Sequence, residues 1–368
     1  MTAAASVAVP DDQGEYTISA GTISQHCDGE VVYNGQTPPE PRVFDTSTGS
    51  FKTASLPAVP AGEELQTSQC VVTRDGGDLR VAYVVATQTP ASGLAPLKNH
   101  KRAHLLTLDG AAPVASVDLP LSAEIRGSSS FGVPLLVRED AEGVRTEVLR
   151  PSDLTSSWAR PGEPAWVSTP TALAIYQTEN PAMVDIVDAR SGKTIASAPI
   201  VEQLDSRKLL AFTDGFRVGN RIIRTSDGKT LPAVADTDFT GTEYELSQDF
   251  FLMEGSDLLQ VYDINTGKPV LDRRGEDVGS LDLRGVKLFG DRLFLHSTSS
   301  AGVDTRTIIG LPSQAELATT WSAIPYADLE GWTLTSSNCL SAELVIEHCD
   351  DMKLVKDVDG RYPPFAEQ

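Results

Sequence analysis

Short strands with alternating apolar residues, one turn phrase recurring about every 40 residues, and almost no helical periodicity predict an all-β fold. The pattern is that of a β-propeller of four-stranded antiparallel blades. Eight blades follow if every copy of the turn counts, seven if a weak one does not.

The clearest copy is Leu259-Gln260-Val261-Tyr262-Asp263-Ile264-Asn265-Thr266-Gly267-Lys268-Pro269-Val270-Leu271. It reads as a strand, a tight turn and a second strand. The Asp263 carboxylate is placed to accept hydrogen bonds from backbone donors in the turn, and Gly267 to supply the positive φ it needs. Related phrases begin near Asp45, Asp109, Pro151, Asp188, Ser226, Leu311 and Asp357, those at Pro151 and Leu311 being degenerate. With Asp263 included, successive positions lie 64, 42, 37, 38, 37, 48 and 46 residues apart. An insertion spanning Gln88 to His104 accounts for the long first step. A further strand pair precedes each turn, for example Phe250-Phe251-Leu252-Met253 before Leu258 and Arg292-Leu293-Phe294-Leu295-His296 before Thr307. Each unit is therefore a meander that cannot bury its own faces, and stacking neighbours around an axis would bury them. The segment Gln314 to Trp321 has the period of a two-turn helix and fits a loop equally well.

The Asp263 phrase and Val187-Asp188-Ala189-Arg190-Ser191-Gly192-Lys193-Thr194-Ile195 resemble the repeat of the quinoprotein-like, pyrroloquinoline-quinone-type β-propellers. The likeness is good in three or four copies and extends in weaker form over most of the chain. The family's usual tryptophan after the turn is missing from these two copies. There is also no adjacent cysteine pair of the kind found in quinone dehydrogenases. The resemblance thus implies a non-catalytic scaffold or sensor propeller.

The expected organisation is a linker over residues 1–14 and a single propeller domain over 15–368. The net charge of −21 argues against nucleic acid or an anionic membrane surface as the main partner, since either would repel the chain as a whole. No run of 18 apolar residues is present. Met1-Thr2-Ala3-Ala4-Ala5-Ser6 reads as the tail of a linker, so a signal peptide, lipid anchor or membrane helix is expected upstream of Met1.

Four cysteines, Cys27, Cys70, Cys339 and Cys349, permit three pairings. Proximity in sequence favours Cys339 with Cys349 across one hairpin, leaving Cys27 with Cys70 to join two early repeats. Two disulfides fit an extracytoplasmic compartment. His26-Cys27-Asp28 and His348-Cys349-Asp350 share a tripeptide, which offers a metal site if the ends of the chain meet, but disulfides are the expected state.

Catalytic motifs are missing: no Gly-x-Ser-x-Gly elbow, no phosphate loop and no His-Glu-x-x-His. Gly127-Ser128-Ser129-Ser130-Phe131-Gly132 reads as a serine-rich connection, and His296 as an ordinary strand residue. Asp236-Thr237-Asp238-Phe239-Thr240-Gly241-Thr242-Glu243 faintly echoes a calcium loop. However, Ser247 occupies its twelfth position, where a bidentate acid belongs. No cofactor is expected, and calcium is the one weak candidate.

The strongest local signal is Lys98-Asn99-His100-Lys101-Arg102-Ala103-His104, a basic run in an acidic chain. Lys98, His100, Lys101, Arg102 and His104 are therefore the candidate partner-binding residues, either a solvated loop or the attachment point for an acidic protein or another anionic envelope component. The sequence thus points to a monomeric, non-catalytic, extracytoplasmic propeller that binds an envelope protein or small ligand, with no role for nucleic acid. The rival is a hydrolase or lyase whose acidic residues converge on an axial cation.

Overall fold

The computed structural model describes residues 6–10, 16–27, 30–33, 37–110, 112–126, 132–141, 143–177, 183–199, 209–212, 215–219, 221–231, 243–247, 249–255, 257–275, 283–298, 304–318, 323–336, 345–346 and 352–357. Among them every regular element is a strand.

The chain opens with β1 (Ser6–Ala8), β2 (Tyr16–Ser19), β3 (Thr22–Gln25), β4 (Glu30–Val32), β5 (Arg42–Asp45) and β6 (Ser50–Thr53). β7 (Glu64–Asp75), β8 (Asp78–Thr89), β9 (Lys98–Thr107) and β10 (Ala115–Asp118) follow. Next come β11 (Glu124–Arg126), β12 (Leu135–Asp140), β13 (Gly143–Leu149), β14 (Ser156–Pro161), β15 (Glu163–Ser168), β16 (Ala172–Gln177), β17 (Met183–Asp188) and β18 (Thr194–Pro199). The remainder holds β19 (Leu209–Phe212), β20 (Gly215–Val218), β21 (Arg221–Arg224), β22 (Thr230–Leu231), β23 (Glu243–Ser247), β24 (Phe250–Gly255), β25 (Leu258–Asp263) and β26 (Lys268–Arg274). It closes with β27 (Leu283–Phe289), β28 (Arg292–Thr298), β29 (Asp304–Gly310), β30 (Ala315–Ala318), β31 (Ile324–Asp328), β32 (Trp332–Ser336), β33 (Val345–Ile346) and β34 (Lys353–Lys356).

These strands form eight antiparallel sheets, the blades of a β-propeller. Blade one is β2-β3-β5-β6, with β33 added beside β2; blade two is β7-β8-β9-β10, with β4 added beside β7. Blades three to seven take β11–β14, β15–β18, β19–β22, β23–β26 and β27–β30 in chain order, and blade eight is β31-β32-β34-β1. The contacts divide the chain into two compact units. Residues 11–199 and 344–347 contain blades one to four; residues 1–10, 200–343 and 348–368 contain blades five to eight.

Three expectations need correction. Within the presumed linker, Ser6–Ala8 is a strand paired with Val355, Leu354 and Lys353, because the edge of β34 would otherwise lack a backbone partner. The helical reading of 314–321 fails, since Ala315–Ala318 pairs with Ile308–Gly310 and the ladder overrides a weak period. The insertion from Gln88 to His104 is largely regular strand: β8 and β9 pair from Arg80↔Thr107 out to Thr89↔Lys98.

Alternation along the middle strands explains the packing. Val81, Tyr83 and Val85 of β8 share a cluster with Val43 and Ala54 of blade one, while Ala82 and Val84 pack with Ile125 and Leu136 of blade three. In blade six, Phe250 and Leu252 meet Val286 and Leu288 of blade seven, whereas Phe251 and Met253 meet Ile222 of blade five. Successive side chains point to opposite faces, so a strand covered on both sides reads as continuous apolar sequence. Each fully buried large side chain in these layers contributes about 1.5–3 kcal/mol.

The recurring phrase marks the turn between the third and fourth strands. Asp263 Oδ1 accepts from Asn265 N at 2.8 Å and Thr266 N at 3.3 Å, and Gly267 N donates to Asp263 O at 2.8 Å. Asp188 repeats this with Ser191 N at 2.7 Å and Gly192 N to Asp188 O at 2.8 Å, and Asp45 with Ser47 N at 2.9 Å and Gly49 N to Asp45 O at 2.8 Å. The copies near Pro151 and Ser226 keep the backbone bond but place the carboxylate later in the turn, Asp153 Oδ1 accepting from Thr155 N at 3.0 Å and Asp227 Oδ1 from Lys229 N at 3.1 Å. Leu154 N donates to Arg150 O at 2.9 Å and Gly228 N to Arg224 O at 2.9 Å. Leu154 (φ 60°) and Gln314 (φ 57°) occupy the left-handed position that Gly267 (φ 67°) holds elsewhere.

Three of the turns also contact the preceding blade. Trp158 of β14, which follows the degenerate third turn, donates Nε1–H to Ala189 O at 3.0 Å and lies against Gly192, whose missing Cβ would sit 2.7 Å from the ring. Lys52 of β6 reaches Asp109 at 3.3 Å, and Gln314 Nε2 donates to Val270 O of β26 at 2.6 Å. A disulfide joins Cys27 to Cys70 of β7, linking blades one and two as expected from the sequence. Cys339 and Cys349 lie outside the described residues.

Gly192→Ala should lose about 2–4 kcal/mol in denaturant unfolding, from the left-handed backbone and the Trp158 contact together. Gly77→Ala, with open space around its Cβ, should change stability by less than about 0.5 kcal/mol. Replacing Cys27 and Cys70 together by serine opens a link of sequence separation 43, for which loop-closure entropy predicts a loss of about 4 kcal/mol, read from the unfolding midpoint against the oxidised chain.

Candidate functional site

The middle strands of blades three to seven are four to seven residues long, whereas β8 has twelve and β9 ten. The β8–β9 ladder runs to ten pairs against seven in blade seven, and three extra residues extend this hairpin by about 10 Å. All five candidate binding residues lie on β9 and belong to strand rather than to a solvated loop.

Alternation separates them. Lys98, His100, Arg102 and His104 share one face of the ribbon, and Lys101 points to the other. On the first face Arg102 forms a two-pronged pair with Glu63, Nη1 to Oε2 at 2.7 Å and Nη2 to Oε1 at 3.0 Å, and its Nε lies 3.4 Å from Asp118. Glu63 also accepts the Thr87 hydroxyl, and His100 lies 4.0 Å from it while contacting Thr89 Oγ1 at 3.2 Å. Arg102 and then Thr87 hold the Glu63 carboxyl down at about 2. His104 Nδ1 contacts Ser116 Oγ at 2.8 Å, and burial, with Arg102 nearby, holds its imidazole below the ordinary value. Thus Arg102, His100 and His104 brace the hairpin along its length, and its positive charge toward solvent comes from Lys98 and Lys101.

The tip was missed in the sequence reading. Ser92 and Ala95 bond to each other through N–H···O contacts of 3.2 and 3.0 Å. They close a two-residue turn with Gly93 at φ 56° as its first central residue, the position that a II′ turn gives to glycine. That turn holds Leu94 at the apex with 105% relative exposure, and Leu97 beside it is 49% exposed. The connections on either side of the blade enter and leave at this same end, bringing Val59 at 40% and Leu121 at 58%. A signal was present in the sequence: from Leu79 to Leu108 there is no aspartate or glutamate, in a chain that holds 51.

The acidic groups elsewhere serve structure. Against the cost of burial, Lys52 and Ser47 hold Asp45 well below the carboxylate range. Arg224 and the Lys229 amide do the same for Asp227, and the Ser191 hydroxyl for Asp188. Asp328 differs: desolvation, then Asp357 and Glu330, raise its carboxyl. It ends β31 beside a turn where Thr333 Oγ1 donates to Asp357 Oδ1 at 2.7 Å. Among the described residues no group of three or more His, Cys, Asp or Glu side chains could hold a metal ion. Residues 236–242 of the calcium-like segment, the 127–131 connection, and His348 lie outside the described residues. Glu245 accepts from Lys287 and, at 2.6 Å, from Leu288 N. His296 stands opposite Arg306 in β28.

No protein-family model and no curated protein sequence matches the chain. Solved structures similar to it include BamB from Moraxella catarrhalis, at 11% identity and a TM-score of 0.41 over 96% of this chain and 99% of that one. Sqt1 from Saccharomyces cerevisiae gives 11% and 0.40 over 97% and 100%. The β-propeller domain of the Trilobed protease from Pyrococcus furiosus gives 13% and 0.34 over 84% and 97%. The sheet order, not these likenesses, defines the chain as a β-propeller.

Below about pH 4.5 the Glu63–Arg102 pair should weaken. The carboxyl titrates lower when folded than when unfolded, so its stabilisation is complete above the unfolded value and disappears as pH falls toward about 2. Glu63→Gln should cost about 2 kcal/mol at pH 7, and the gap to the parent chain in urea unfolding should narrow as pH drops from about 5 to about 2.5.

Proposed function

We propose that the chain is a non-catalytic extracytoplasmic binding module: a rigid propeller that presents the β8–β9 hairpin to an anionic component of the cell envelope. The observation that carries this reading is the hairpin itself. It is longer than any of its counterparts, free of acid over thirty residues, and ends in an ordered turn with an exposed leucine at the apex. Exposing a leucine that way stabilises nothing in the folded chain, so its value lies in contact. The Cys27–Cys70 bridge supports a compartment outside the cytoplasm. The net charge of −21 counts against nucleic acid. A monomer fits the same picture, as does a protein or small molecule bound elsewhere on the propeller. The quinoprotein-like resemblance of the turns supports a non-catalytic family member.

A photo-crosslinking residue at position 94 should give discrete adducts with envelope components in cells, and the same residue at position 77, on the opposite end of the blade, should not. Identical adduct patterns from the two positions would remove the hairpin from the function. Lys98→Glu with Lys101→Glu should cut the adducts from position 94 about tenfold. Arg102 is left in place in that variant because it braces Glu63.

The rival reading, a hydrolase or lyase with an acidic cation site, draws on the raised carboxyl of Asp328 beside Asp357 and Glu330. Calcium at 100 times its dissociation constant would stabilise such a chain by about 2.7 kcal/mol. The expected result is an unchanged thermal midpoint on adding calcium.

A further inference from the structure

The proposal above leaves open which anionic surface the hairpin meets, and the chemistry of the tip narrows it. The exposed large apolar residues there are all aliphatic: Leu94, Leu97, Val59 and Leu121 make up half of the eight exposed among those described, and Glu64 is an exposed carboxylate at the same end. Protein–protein anchors are enriched in tryptophan, tyrosine and arginine, and this tip offers none of them free. The apex is held by a tight turn that leaves Leu94 fully exposed. Behind it stand Lys98 and Lys101, which have no acidic partner among the described residues, whereas Arg80 is taken up by Asp75 at 2.8 Å and Arg102 by Glu63.

We infer that the apex of the β8–β9 hairpin enters the interface of an anionic lipid bilayer, with Leu94 and Leu97 among the upper acyl chains and Lys98 and Lys101 against the headgroups. This is the arrangement by which shallow peripheral contacts work: apolar burial supplies one part of the attraction and nearby lysines the other. The overall charge of −21 opposes it at first sight. Distance decides between the two effects. The hairpin carries the tip about 10 Å beyond the longest of the other blades, more than the screening length of roughly 8 Å at physiological salt. The acidic body is therefore largely screened from the surface while the lysines are not. Such contact is weak and reversible, and it requires low or moderate salt.

The inference rests on the reading of the hairpin as the contact surface, and its test separates the two. The full chain is floated with vesicles of phosphatidylcholine alone and of phosphatidylcholine with about 30% phosphatidylglycerol. Association with the anionic vesicles should exceed that with the neutral ones by about fivefold or more and should fall with added salt. Leu94→Asp, and separately Lys98→Glu with Lys101→Glu, should each reduce it about fivefold. Val114→Asp, at a residue as exposed as Leu97 on the far end of the same blade, should leave it unchanged. Circular dichroism checks that each variant is folded. Equal association with both vesicle types, or anionic association that the tip variants leave intact, would overturn the inference. Failure to float together with a discrete protein adduct from position 94 would overturn the lipid assignment and keep the binding module; failure of both would overturn the two readings together.

Discussion

Every blade depends on a strand that is apolar toward both sides. Phe251 and Met253 need blade five as much as Phe250 and Leu252 need blade seven. Val81 and Ala82, adjacent in sequence, are claimed by different neighbours in the same way. A single four-stranded sheet of this composition would leave half of its apolar side chains wet, so the sheets are stable only in succession. The turn residues follow from that constraint. Once blades are pressed face to face, the connection from third to fourth strand must be tight, satisfied internally and open to the outer strand of the blade before it. Asp188 and Gly192 do the first two tasks, and the surface they leave is where Trp158 rests.

How much of this was legible depends on which residue carried the message. Where an aspartate opens the turn and a glycine closes it, as at Asp263 and Gly267, the local chemistry is visible in the letters. Where Arg150 and Leu154 make the same backbone turn, the carboxylate has moved to Asp153 and a bulky residue occupies the left-handed site. Its backbone hydrogen bond is the same; its composition is not. That is why the third and seventh copies looked like grounds for a seven-blade count, and why the tryptophan missing from the best copies sits after one of the worst. The pairings of β1 and β33 were illegible for a different reason. They are backbone contacts between ends of the chain, made by three and two residues, and no side-chain pattern announces them.

The candidate site was half visible. The basic residues of β9 stood out as a charge anomaly, but charge alone does not say which groups remain available. Glu63, distant in sequence, takes Arg102 out of play, and the ribbon's alternation turns Lys101 away from Lys98. The leucine apex went unnoticed because a lone exposed leucine is ordinary in any surface. It becomes informative only when the turn at Gly93, the length of β8 and β9, and the thirty-residue gap in acidic side chains are considered together.

The strand order also has a consequence for biosynthesis. Val7 pairs with Leu354, so the outermost strand of the final blade is made first and finds its place last. At translation rates of about 5–20 residues per second, β1 waits on the order of 20–70 s outside the ribosome before its partner exists. A long apolar segment left unpaired for that time would invite aggregation. Three residues, Ser6, Val7 and Ala8, are too few and too small to do so, and their modesty is what makes it safe for the beginning of the chain to complete its end.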